Sequence, residues 1–527
     1  MTAQLDIRKP WFGQFLLQPR HTPHTVSLPF EWQTIDVGHF TLRVCPSVPI
    51  TQVTTNHGQA VMLGHAFSTV RRASRTDTLR EIAEEPHTQL RMARSAVESL
   101  AGRFVLFIWD GSRLRIVPDP VVSFKVVWGQ DSSGQTQAAS DVKLLRASGG
   151  FQPNNRPEWH WARMQPKFQR MGGYPIGHTP LEGVRPLPAN QILDLDGPTE
   201  TSMWRAFPKH VKEKRGRAEV QGLVYEHLAQ VFQNAADEGL ELWFPITSGQ
   251  DSRFIAAAAH KAHLDGWLRQ PVQFYFIEKE FVSATGKVDR AHVEFLRKHG
   301  VPITIFKART DAELVEIDPP FVPLAHHSFL SHLTFRLALN DGTAFPSNRL
   351  FAMANTAENI KFMHDAPDAT VPKEAARGLG YPNHRFVLAY FGNWMRDAQP
   401  HAKNTAHFVH ELAWWESVLE HFSGNMLHSG NGQVPMWCPM NFHRFYELGH
   451  SMDLSERDHH TSRFFRVATA DWWPLLDTFP LNPDRRTRAI IALKRLDLYR
   501  LYRPWGQRYR WWASGRAQRR AERQNLK

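Results

Sequence analysis

The chain has 527 residues, 42% of them hydrophobic and 22% charged, with a formal net charge of +12. That length exceeds what one ordinary hydrophobic core serves, so two domains are expected of a globular protein. The composition excludes a membrane helix, because no run approaches the roughly 18 consecutive apolar residues that one needs. The first twenty residues carry Asp6, Arg8, Lys9 and Pro10 and lack the apolar stretch of a signal peptide, so a cytoplasmic location is the expectation.

Cys45 and Cys438 are the only cysteines, which rules out a disulfide framework and a four-cysteine zinc site. The 28 histidines are scattered, with neither HExxH nor Cys-x-x-Cys among them, and read as surface or partly buried side chains rather than metal ligands. The positive charge is local. Residues 481–527 hold fourteen basic side chains against three acidic ones, a net +11 that accounts for nearly the whole excess.

Residues 1–205 read mostly as β structure. Apolar runs at 104–109 and 121–128 are separated by the turn signals Asp110-Gly111, Pro118-Asp119-Pro120 and Asp131-Ser132-Ser133-Gly134. Residues 209–217 form a charged, apolar-poor linker. From Val220 the period becomes helical, through Leu223, Val224, Leu228 and Val231. A buried strand is predicted at 242–246, an alanine-rich helix at 254–263 and a strand at 272–277. A helix at 289–299 and a strand at 303–306 follow. Strands alternating with helices imply a parallel sheet. Residues 320–480 read as mainly helical with long loops, and 481–527 as a basic, aromatic-rich tail.

Between the strand at 242–246 and its helix stands Ile246-Thr247-Ser248-Gly249-Gln250-Asp251-Ser252-Arg253. A strand, a tight loop of small residues and a helix aim backbone N–H groups at one point, an arrangement suited to phosphate. Thr247, Ser248 and Ser252 add hydroxyls, and Gly249 permits close approach. A carboxylate beside phosphate suggests a bridging magnesium ion at Asp251. An ordinary strand-to-helix turn with a capping side chain is the other reading of these residues.

The loop resembles the Ser-Gly-Gly-x-Asp-Ser loop of the PP-loop ATP pyrophosphatases, and Arg253 is common in their asparagine-synthase-related members. In the first half, Leu100-Ala101-Gly102-Arg103-Phe104, Trp109-Asp110-Gly111, Ala139-Ser140-Asp141-Val142-Lys143 and Thr179-Pro180-Leu181-Glu182-Gly183-Val184 resemble the glutaminase-type domain of asparagine synthetases. Asp289 and Ala291 match an acidic-x-Ala pattern, and Cys438-Pro439-Met440 through Glu447 a Val-Pro-Phe…Glu segment. The resemblance implies an α/β protein. Residues 1–205 would form an αββα Ntn-hydrolase-like sandwich, and residues 218–480 a parallel-sheet, adenine-nucleotide α-hydrolase-like domain. ATP and magnesium are the implied cofactors, with Ile246 to Arg253 at the pyrophosphate.

Three departures from that family bear on function. Its glutaminase nucleophile is an amino-terminal cysteine, and position 2 here is Thr2, so glutamine hydrolysis is expected to be lost. Its second signature, Gly-(Asp/Glu)-Gly-x-Asp-Glu, is half matched at residues 362–369: Asp365 as the catalytic acid and Asp368, joining Asp251 at the metal, fall on the leading acidic positions, but the glycines are gone and Ala369 replaces the last acid. A solvated turn with two aspartates and a proline is the other reading of these residues. The lysine that offsets charge during amide formation has no counterpart, for none lies between Lys403 and Arg444. The implied activity is an ATP-dependent amide-forming ligase that adenylates a small-molecule, peptide or glycan carboxylate and takes ammonia or an amine. The alternatives are a non-catalytic scaffold of the same fold, or a protein acting on RNA or another anionic surface through the basic tail.

Overall fold

The computed structural model describes residues 13–22, 31–84, 97–165, 175–196, 200–205, 213–278, 284–307, 348–361, 369–405, 408–424, 435–459 and 461–480, together with 427, 492, 493, 496 and 498. The first twelve strands are β1 (Phe15–Pro19), β2 (Gln33–Val37), β3 (Phe40–Val44), β4 (Ile50–Thr54), β5 (Gln59–Ser68) and β6 (Leu100–Trp109). They continue as β7 (Leu114–Pro118), β8 (Val127–Gln130), β9 (Thr136–Ala139), β10 (Arg185–Pro186), β11 (Gln191–Asp196) and β12 (Glu200–Arg205). They pair into two six-stranded sheets, β10-β8-β9-β1-β3-β2 and β12-β11-β7-β6-β5-β4, antiparallel throughout.

Strands β5 and β6 explain the stacking. Side chains alternate across a strand, and here both alternating sets are apolar. Val61, Leu63, Val105 and Phe107 join Phe15, Leu17, Phe40 and Leu42 of the first sheet in one core. Met62, Ala66, Phe104, Leu106 and Ile108 face the opposite way, into a core shared with Leu79 and Ile82 of helix α1 (Arg75–Glu84). The second sheet is therefore buried on both faces. Two short helices complete this half, α2 (Val142–Ser148), whose first turn is capped by the Asp141 carboxylate, and α3 (Pro157–Arg163).

The predicted strand at 121–128 is shorter than its apolar run. The buried Asp119 carboxylate accepts the backbone N–H groups of Val121 and Ser123, and Val122 takes a left-handed φ of 53°. Only β8 remains extended. A buried carboxylate collecting local N–H groups competes successfully with the sheet.

The second half is built on a parallel sheet. Helix α4 (Arg217–Asp237) leads into β13 (Glu241–Pro245), α5 (Gln250–Leu264), β14 (Gln273–Glu278), α6 (Ala284–Lys298) and β15 (Ile303–Lys307). Each of these matches a predicted element to within a few residues. Two strands lie in the region read as helical, β16 (Arg349–Ala352) and β17 (Met436–Trp437). The sheet order is β15-β14-β13-β16-β17, all parallel. The chain steps outward from β13 through β14 to β15 and then resumes on the other side of β13. Farther on, α7 (Pro372–Gly378), α8 (Arg385–Thr405) and α9 (Val409–Trp414) share a smaller apolar cluster. A π-helical segment, Trp415–Gly424, follows, then α10 (His443–Ser451) and α11 (Arg463–Trp472).

One core runs between the halves. Phe67 of β5 meets Trp437 of β17 edge-on at 5.8 Å, and Asn441 Nδ2 donates to Gly102 O and to Asp119 Oδ1. Gly102 has φ 144°, and a Cβ there would lie 2.2 Å from the His65 carbonyl oxygen, so the close approach of β6 to its antiparallel neighbour β5 at this point requires glycine. No described helix is long and apolar enough to cross a membrane.

Candidate nucleotide site

Strand β16 joins the sheet on the opposite side of β13 from β14, so the strand order reverses between β13 and β16. In open parallel sheets the crevice outside the carboxyl ends at such a reversal is where ligands bind. A crevice of about 350 Å³ opens there, lined by Ile246, Thr247, Asp251, Ser252, Tyr275 and Asn355, among others. That volume is within the range of small-molecule sites.

The eight residues predicted at the pyrophosphate divide into two groups. Ile246, Thr247, Asp251 and Ser252 line the crevice; Ser248, Gly249, Gln250 and Arg253 do not. Gly249 caps α5 in extended backbone, φ −74° and ψ 150°, so it serves there for its small size and not for a left-handed turn. Ser248 is buried and turned inward, donating its N–H (2.7 Å) and hydroxyl (2.6 Å) to Asp289 Oδ1. Asp289 thus takes loop donors that the sequence reading reserved for phosphate.

Arg253 has a different task from the one predicted. Its guanidinium is buried and donates to the carbonyls of Leu476 (2.8 Å), Phe479 (2.7 Å) and Pro480 (2.9 Å). Burial pulls its pKa down to about 10. It anchors the segment after α11 instead of contacting the crevice. An Arg253→Met variant should lose on the order of 3 kcal/mol of stability, read from denaturant unfolding. Its ATP affinity by calorimetry should stay within about twofold of the parent; a tenfold loss would restore Arg253 to the ligand.

His292 supports the loop from beneath. Its Nδ1–H donates to Thr247 O at 2.9 Å, and among the described residues Nε2 has no hydrogen-bond partner. Burial first, and then the positive charge of Arg253, pull its pKa down to about 4. In the unfolded chain the same imidazole protonates near 6.5. Its contribution to stability is therefore complete above pH 6.5 and is lost as pH falls toward 4, at about 1.4 kcal/mol per pH unit. Melting curves from pH 7 to pH 4.5 should fall less steeply for His292→Gln than for the parent chain. Parallel curves would show that His292 is not the acid-sensitive group.

Asp365 and Asp368 lie outside the described residues. The segment that follows β16 and faces the crevice is Ala354-Asn355-Thr356-Ala357-Glu358-Asn359, a 3₁₀ turn over Asn355–Asn359. Against Gly-(Asp/Glu)-Gly-x-Asp-Glu it keeps small residues at the first and third positions and one acid, Glu358. A short apolar strand ahead of that spacing was the available signal. Burial pushes the Glu358 carboxyl up to about 7, against the pull of Lys361 and with the push of Asp251.

Lys361, two residues beyond this turn, ion-pairs through Nζ with Asp251 Oδ1 and lies 5.3 Å from the centre of the Phe465 ring. Its side chain is 8% exposed. No lysine lies between residues 403 and 444, and it is Lys361 that meets the loop's aspartate. Lys287 and Arg290 line the outer part of the crevice, Arg290 bridging Glu278 (3.0 Å) and Glu294 (3.2 Å).

These residues do not suit the magnesium ion that the resemblance implies. Asp251 Oδ1 already holds a cation, and the turn presents to the crevice the Asn355 amide and one acid, Glu358, whose carboxyl burial pushes up to about 7. Among the described residues no three His, Cys, Asp or Glu side chains converge as a metal site.

Neither cysteine is placed for catalysis. Cys45 is buried at the end of β3 against Ser47 Oγ at 3.2 Å. Cys438 lies beneath the turn after β16, within 2.9 Å of Thr356 Oγ1 and 3.0 Å of Met353 O, and burial pushes its thiol up to about 12. Thr2 lies outside the described residues, as does nearly all of the basic tail.

Fold and site together define a mixed α/β protein, with two stacked antiparallel sheets, a parallel sheet and a crevice where its strand order reverses. No protein-family model matches the chain, and no curated protein matches it. Two solved structures show a loose likeness. The allosteric regulatory enzyme of purine biosynthesis is 10% identical, with 62% of this chain and 74% of that one covered and a TM-score of 0.24. Glutamine phosphoribosylpyrophosphate amidotransferase from B. subtilis, complexed with ADP and GMP, is 9% identical, with 67% and 72% covered and a TM-score of 0.24. At those values the functional reading rests on the crevice itself.

Proposed function

We propose that this protein binds an adenine nucleotide in the crevice between β13 and β16, and that it is an asparagine-synthase-like, ATP-dependent carbon–nitrogen ligase. The observation that carries the reading is the position of the Thr247–Ser252 loop. It joins β13 to α5 at the reversal of a parallel sheet, with Thr247, Asp251 and Ser252 facing the space a ligand would fill. Asn355 adds support, because it lines the crevice and among the described residues neither side-chain amide atom has a partner. Buried amide groups are rarely left unpaired unless something else meets them.

In the proposed reaction a carboxylate oxygen attacks the α-phosphorus of ATP and pyrophosphate leaves. An amine or ammonia then attacks the acyl carbon, and AMP departs as the amide forms. The crevice would supply positioning and charge complementarity, the two main contributions to phosphoryl-group chemistry. The stacked sheets would be a glutaminase-like domain without its nucleophile. Carboxylate-dependent exchange of labelled pyrophosphate into ATP is the expected result. ATP binding with no exchange for any carboxylate offered would sink the ligase reading.

A second reading, nucleotide binding without turnover, is favoured by one feature. Asp251 and the Ser248 N–H are both engaged within the protein, by Lys361 and Asp289. Unchanged biological activity in an Asp251→Ala variant would favour a loop that serves the architecture alone.

A further inference from the structure

The ion pair at the head of α5 bears on what the crevice requires of its ligand. Asp251 stands in the first turn of α5 and faces the crevice, and its Oδ1 is taken by the Lys361 ammonium. Lys361 is not a wandering surface lysine. It leaves the turn after β16, which is tied to the sheet by Met353 N–H donating to Trp437 O at 2.8 Å, and its stem is enclosed beside Phe465 of α11. A divalent ion at Asp251 would have to share the carboxylate with a buried monovalent cation, bound at its other oxygen, or expel that cation. Both are unfavourable in an enclosed place, where like charges are poorly screened.

The neighbouring donors point the same way. Asn355 offers a neutral amide, which binds a small divalent ion more weakly than a carboxylate does, and the turn's one acid on the crevice wall, Glu358, is a carboxyl that burial favours in its neutral form. Asp289, on the crevice wall, has its Oδ1 engaged by the Ser248 N–H and hydroxyl. Positive charge is instead supplied by the protein, through Lys361 behind Asp251 and through Lys287 and Arg290 on the crevice wall.

We propose that Lys361 takes the place of the divalent cation at Asp251, so that the crevice binds nucleotide phosphates without magnesium. This rests on the nucleotide reading above. Lysine is suited to the role, being a compact, strongly charged group on a stem that packs against apolar surface.

The test is calorimetric titration of ATP into the full chain, in excess EDTA and again with magnesium in excess over nucleotide. Affinities within about threefold of each other are expected. A Lys361→Gln variant, which frees Asp251, should bind ATP at least about tenfold more tightly with magnesium than in EDTA. Wild-type binding that appears only with magnesium would overturn the inference and leave the nucleotide reading standing. Absence of ATP binding under both conditions would overturn the nucleotide reading and the inference with it. The wild-type comparison decides the matter even if the variant fails to fold.

Discussion

Glu416→Ala should destabilise the folded chain by about 3–5 kcal/mol, the cost of removing one partner from a buried ion pair. Glu416 is 2% exposed and sits in the first turn of the π-helical segment. Its Oε1 accepts from Asn190 Nδ2 (2.9 Å) and Arg205 Nε (2.6 Å), and its Oε2 from Arg205 Nη2 (2.7 Å) and Trp394 Nε1 (2.8 Å). Four donors from three other parts of the chain thus meet on one carboxylate. Burial works against the Arg205 charge, but Glu416 and Asp397 together hold its pKa above the ordinary arginine value.

Without Glu416, the Arg205 side chain stays enclosed with only the exposed Asp397 to offset it. The neighbouring cross-links, Lys125 Nζ to Glu420 Oε1 (2.9 Å) and Trp415 Nε1 to Pro120 O (2.7 Å), do not replace the lost acceptors. The measurement is the free energy from urea unfolding, extrapolated to water. Glu416→Gln keeps one carbonyl acceptor and should lose less than the alanine variant. A loss below about 1 kcal/mol for Glu416→Ala would show that the halves are held by the apolar core alone.

Filling the crevice should have the largest effect on ligand binding. Ser252→Trp places an indole in the first turn of α5, pointing into a space of about 350 Å³ bordered by Thr247 and Asn355. ATP affinity should fall at least about 100-fold, a change of roughly 3 kcal/mol. Ser252 is only partly buried and the crevice is open space in the protein, so the melting temperature should shift by less than about 4 °C. Unimpaired ATP binding in a well-folded Ser252→Trp protein would place any nucleotide site elsewhere on the molecule.

The elements legible in the residues alone were those with a strong local period. The apolar run of β13, the alanine-rich α5 and the strands β14 and β15 each bury a face that their own spacing announces. The small-residue loop from Thr247 to Ser252 was legible for the same reason, since its chemistry is contiguous. The turn after β16 carries no such local signal. Strand β16 has four residues and β17 two, too few to carry a period, and they are extended because β13 pairs with β16 and β16 in turn with β17, each partner far away in sequence.

Charges were the least legible. That Arg253 turns toward Phe479 and not toward the crevice, that Ser248 spends its N–H on Asp289, and that Asp251 finds Lys361 are all matters of which groups share a buried space. A side chain's need for a partner is written in its residue type, but the identity of that partner is settled by long-range packing. The residues alone therefore named a strand–loop–helix phosphate motif and the parallel sheet around it. Tertiary structure decided where that motif faces, which of its groups remain open to a ligand, and that a lysine, held in place by a distant strand, stands on its aspartate.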